Sequence, residues 1–180
     1  MPAGLFVPGP TGALTIGASV PIAGAFGSAQ NSPVAAQGPD GAAFVAGAAA
    51  SPQIIWVVDG ARPAAIAEHV TGPVTALAVD AANLYVGVGR TVSAYSRTTG
   101  SLVRSWTSSA APGGVSQLVV AGSRIWALYT VPDPNGESQT GVAGSLVELN
   151  PAAASVVRTV TGITGAFCVA AGAAGVYYVT

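Results

Sequence analysis

The chain has no lysine, a single cysteine (Cys168), a single histidine (His69), and charged residues at only 7% of its 180 positions. An ordinary globular domain carries roughly 25%. Each shortage excludes something. One cysteine cannot close an intrachain disulfide. Six arginines against seven acids leave a net charge of −1, which excludes the clustered basic surface that nucleic-acid binding requires. A Ser-His-Asp triad would have to converge on His69, and nothing in the sequence points there. No apolar run reaches the roughly 18 residues of a membrane-spanning helix without glycine or proline breaks. The apolar stretch 12–29 ends in Gly27-Ser28-Ala29, but it lacks a positively charged lead and carries Pro21. It is therefore not read as a signal segment.

What is there is apolar and turn-rich. Half of the residues (51%) are hydrophobic, beside 24 glycines and 13 prolines, far too many for a mainly helical chain. The apolar residues fall into a repeat. Residues 74–87 match residues 115–128 at a shift of 41, and residues 34–47 match 74–87 at a shift of 40, with Asp40 on Asp80, Phe44 on Leu84 and Gly47 on Gly87. A fourth copy, 166–179, follows at a shift of 51, with Val176 on Ile125 and Tyr177 on Trp126. Each copy reads as an apolar strand, a turn around Asp or Gly, and a second strand with a large apolar pair. A second hairpin follows. Residues 91–106 are echoed by 145–160, with Arg104 and Arg158 at the same point of the last strand. Their turns, 97–100 and 151–154, suit hairpin connections.

Four strands per unit of 40 to 51 residues is the blade signature of a β-propeller. The expected fold is all-β, a propeller of four-stranded blades. It has about three full blades, at 34–73, 74–114 and 115–165, and split half-blades at the two ends. Residues 166–180 supply first and second strands, while 1–33 supply third and fourth strands plus a connector. Those halves either pair to close a four-bladed ring, setting Val176 and Tyr177 beside Phe6 and Val7, or belong to a piece of a larger propeller. Blades stack face to face, so inner strands such as Leu77-Ala78-Val79 are apolar without alternation. The outer strand alternates, with Leu102 and Arg104 on one face and Val103 and Ser105 on the other. A β-sandwich also uses short strands and frequent turns, but it does not predict a recurring four-strand period. The helix-like stretch 64–69 falls on an outer strand in the repeat register.

These residues resemble bacterial propeller families. Gly38-Pro39-Asp40-Gly41 followed by Phe44 is similar to the streptogramin-lyase-like and NHL repeats. Leu84-Tyr85-Val86-Gly87 with Thr99-Gly100 looks like the YVTN and quinoprotein-type repeats. The resemblance covers nearly all of 34–180 and implies a repeat class rather than an activity. The lyases of this group use a catalytic histidine, and His69 falls on an outer strand, away from the axial face. Quinone-dependent relatives need a full ring of blades with metal and quinone ligands that this sequence does not offer. No cofactor and no metal are expected.

Cys168 reads as a small hydrophobe in an apolar strand. One feature breaks the repeat, a long connection in the third unit spanning 129–144. It places Tyr129, Asp133, Asn135 and Glu137 as candidate ligand- or partner-binding residues. Loops of this length often carry function. Three oxygen side chains fall short of a calcium site, which takes six to eight ligands. Because strands alternate in sense, this connection shares a face with 108–114 and 48–53, and that face is the expected docking surface for a protein or small-molecule partner. The reading is a non-enzymatic binding, scaffold or sensor module, with an extracytoplasmic setting favoured and His69 dispensable. The alternative is a piece of a propeller enzyme whose active residues lie outside this chain.

Overall fold

Segments such as Val74-Thr-Ala-Leu-Ala-Val79 are dense in β-branched and apolar side chains, which pack well on a pleated surface and lose rotamer freedom in a helix. The computed structural model describes residues 4–8, 14–19, 34–46, 53–59, 62–111, 113–131, 143–165, 168–172 and 175–179. Among them are sixteen strands and no helix, and all strand pairings are antiparallel. The stretch 64–69 is extended.

Three sheets have four strands each, drawn from consecutive chain. The first holds β3 (Val34–Gln37), β4 (Ala43–Ala46), β5 (Gln53–Asp59) and β6 (Arg62–Val70), in that order. The second holds β7 (Val74–Val79), β8 (Asn83–Val88), β9 (Thr91–Ser96) and β10 (Leu102–Thr107). The third holds β11 (Gly114–Ala121), β12 (Arg124–Thr130), β13 (Ala143–Asn150) and β14 (Ser155–Thr164). Two further pairs, β1 (Gly4–Pro8) with β2 (Leu14–Ser19) and β15 (Cys168–Gly172) with β16 (Gly175–Val179), form separate two-stranded sheets. The edge-to-edge pairing of β16 with β1 that a closed ring requires is therefore not made among the described residues. Pro63 and His69 both lie on β6, an outermost strand, the position where a residue without an N–H interrupts no ladder.

Successive sheets pack face to face in chain order. Phe44, Ala42 and Ala46 of the first meet Leu77, Val79, Leu84 and Val86 of the second. The second then buries Tyr85, Val92 and Trp106 against Ile125, Ala127, Tyr129, Val147 and Leu149 of the third. Trp126, Leu128 and Leu146 point the other way, toward Val169 and Val176. Strands β8 and β12 thus bury alternate residues on opposite sheets, which is why their sequences show no polar alternation. Each Val, Leu or Phe removed from water in this way contributes roughly 1.5–3 kcal/mol. The first strands β3, β7, β11 and β15 adjoin one another in sequence.

Three details differ from the expectation. The outer strand β10 alternates only from Val103 onward: a bulge between Leu102 and Arg104 leaves Leu102 as well as Val103 more than half exposed, because the extra residue drops out of the ladder. An equivalent bulge in β14 precedes Arg158. The long connection is also shorter than 129–144. Tyr129 and Thr130 remain in β12, paired with Ser145 and Gly144 of β13, since the ladder continues as far as both strands supply partners. Lastly, Cys168 is half-buried rather than enclosed.

Candidate functional site

The turns from first to second strand come to one end of three successive sheets. Between them lies an open depression of about 670 Å³, within the size range of small-molecule sites. The first sheet contributes Gln37, Gly38 and Pro39, the second Val79 to Ala82, and the third Val120 and Gly122. Its lining mixes apolar side chains with Gln37 and Asp80. Gly122 has φ +59, and the two-residue link from Ala121 to Arg124 turns there, as tight hairpins with a left-handed first residue do.

Asp80 builds the middle turn. Its Oδ1 accepts from the amides of Ala82 and Asn83, both at 2.7 Å, an Asx turn that organises the chain reversal locally. Its Oδ2 accepts from the Tyr85 hydroxyl at 2.6 Å. Burial of Tyr85, followed by this bond to Asp80, raises the tyrosine pKa well above 10.0. Arg97, from the turn after β9, ties the first and second sheets together. Its Nη2 meets Asp40 Oδ2 at 2.5 Å, its Nη1 donates to the carbonyls of Asp80 and Ala81, and its guanidinium lies 5.1 Å from the centre of the Phe44 ring. The hydrogen bond from Arg97 holds the Asp40 carboxyl below its ordinary 3.8.

At the opposite end, the chain's own contacts tie the second sheet to the link that leads into the third. Arg90 donates to the carbonyls of Ser108 and Ser109 at 3.1 and 2.9 Å, and to that of Ala111. The Val115 amide donates to Gly89 O at 2.7 Å. Tyr129, one of the four residues singled out from the sequence, is fully buried here. Its hydroxyl donates to Arg90 O at 3.5 Å, and burial pushes its pKa up to about 12. Asp133, Asn135 and Glu137 lie outside the described residues. Tyr129 therefore sits in the core between the second and third sheets, on the far end of β12 from the depression.

A third polar cluster crosses β12, β13 and β14 of the third sheet. Glu148, buried, receives Arg158 Nε at 2.7 Å and faces Arg124 Nε at 3.4 Å, while Arg158 stacks 4.8 Å over Trp126. This is a satisfied carboxylate between two cations. No group of three or more His, Cys, Asp or Glu side chains suited to a metal occurs among the described residues.

Gln37, Pro39 and Asp80 were not singled out from the sequence as site residues. A signal existed in the register that sets Asp40 on Asp80: equivalent positions of a repeat come to the same end of neighbouring sheets. Comparison with protein-family models and with curated proteins finds no match to this chain, so the site stands on its own residues, as an open depression at the junction of three equivalent turns.

Proposed function

We propose that this chain is a run of β-propeller blades serving as a non-enzymatic binding or sensor module, with its ligand seated in the depression between the first turns. One observation carries the reading: three equivalent turns, from three successive sheets, line a single depression. The chain-order, face-to-face packing of the sheets and the adjoining first strands support the radial stacking that blades require. The chemistry of the lining supports binding over catalysis. Asp80 holds its turn through Oδ1 and Asp40 pairs with Arg97, which leaves no acid–base pair facing the depression among the described residues.

A small-molecule fragment screen on the isotope-labelled chain, read by amide chemical shifts, tests this. Hits are expected to move residues 37–39, 79–82 and 120–122 together. Hits confined to the opposite end, around Arg90 and Ser108, or no hits at all, would refute it.

A further inference from the structure

Asp80 is the one ionisable residue lining the depression, and its carboxylate is incompletely used. A carboxylate offers about four acceptor positions. The protein fills two on Oδ1 and one on Oδ2, which leaves one on Oδ2 for a donor from outside. Arg104 lies near enough to act on Tyr85, but it donates to Pro151 O and makes no bond to Asp80. Arg97 spends its charge on Asp40 and reaches only the backbone carbonyl of Asp80, so the group of Asp40, Asp80 and Arg97 carries one net negative charge. An anionic ligand would meet repulsion here, and a neutral one would leave the carboxylate uncompensated.

Apart from Gln37, whose amide nitrogen donates to Gly41 O, the remaining side chains of the lining are apolar, with Pro39, Val79 and Val120 the largest beside Ala81 and Ala82. Such a surface covers methylene groups while a charged tip stays at the wet rim. A single open acceptor position suits a compact ammonium. A planar guanidinium donates two parallel bonds and needs a pair of acceptors.

We propose that the depression receives an alkylammonium group, such as a lysine side chain, with its methylenes on Val79 and Val120 and its charge on Asp80. This rests on the reading of the depression as a binding site given above. These 180 residues contain no lysine, so none of their own side chains supplies the group.

The test is a shift titration of the full chain with three probes of similar length: Nα-acetyl-lysine amide, Nα-acetyl-norleucine amide and Nα-acetyl-arginine amide. The lysine probe is expected to move residues 79–82 with a dissociation constant on the order of 1 mM, and to weaken as salt is added. Norleucine is expected to bind about tenfold more weakly, since it lacks the charged hydrogen bond, and arginine more weakly than lysine, since one acceptor leaves its second parallel donor unpaired. Asp80→Asn keeps a side-chain oxygen for the Ala82 and Asn83 amides while removing the charge. It should cost the lysine probe about tenfold and leave norleucine unchanged. Should that variant fail to fold, Arg97→Gln decides: it frees Asp40, and lysine binding should tighten severalfold. If norleucine binds as tightly as lysine at these residues, or neither variant changes lysine binding, the ammonium assignment is overturned and the depression remains a binding site. If no probe moves these residues and the fragment screen also leaves them still, the binding reading fails as well.

Discussion

Gly113 and Gly122 make a controlled pair for testing how tightly the sheets are joined. Both have a left-handed backbone, with φ +64 and +59, so alanine at either position carries the same local strain of roughly 1–2 kcal/mol. Their surroundings differ. A Cβ on Gly122 meets nothing within 4 Å, whereas one on Gly113 falls 2.0 Å from the carbonyl oxygen of Thr130, at the end of β12. Backbone cannot rotate aside as a side chain can. Either the link from the second to the third sheet or the last pair of the β12 ladder must shift, at a further cost of roughly 1–3 kcal/mol. Gly113→Ala is therefore expected to lose roughly 2–5 kcal/mol in total and Gly122→Ala only the first part. Against a typical stability of roughly 5–15 kcal/mol, the larger loss is visible in urea melts followed by tryptophan fluorescence. The slope should stay unchanged while the midpoint moves. Equal losses at the two positions would refute the close approach of residue 113 to β12.

Three other outcomes are expected. Tyr85→Phe removes the donor to Asp80 Oδ2 inside the core and should cost about 1.5–3 kcal/mol by thermal or urea unfolding; a neutral result would mean that Asp80 is solvated from elsewhere. Trp106→Phe keeps an aromatic ring near Tyr85 but loses the indole N–H donated to Ala153 O at 3.1 Å, and a loss of about 0.5–1.5 kcal/mol should appear with hydrogen exchange quickening at residues 151–154. Alkaline pH should unfold the chain through its buried tyrosines: Tyr85, Tyr95 and Tyr129 all have raised folded pKa values. A raised value adds stability that is fully present below the unfolded pKa of 10.0 and is lost as pH rises through the folded one. Stability should be level from neutral pH to pH 10 and fall between pH 10 and about 12, where Tyr129 titrates; a flat profile to pH 12 would contradict the burial of these hydroxyls.

The sequence by itself determined the extended backbone, the strands and the turns. Those follow from short-range chemistry: β-branched and apolar runs that suit a pleat, glycine or aspartate where the chain must reverse, and a period that repeats the same decision every 40 or so residues. Even the misleading stretch 64–69 was corrected by its place in that period. Tertiary structure decided where the depression lies and how neighbouring sheets are tied. Arg97 reaches Asp40 across 57 residues and Arg90 caps carbonyls 18 to 21 residues ahead, pairings that no local pattern encodes. Tyr129 adjoins the long connection in sequence, yet the ladder to β13 and the contact between the second and third sheets carry it into the core. The bulge at Val103 depends on which amide finds which carbonyl across β9 and β10. Side-chain alternation within β10 alone cannot report that, because register belongs to the pair of strands and not to either one.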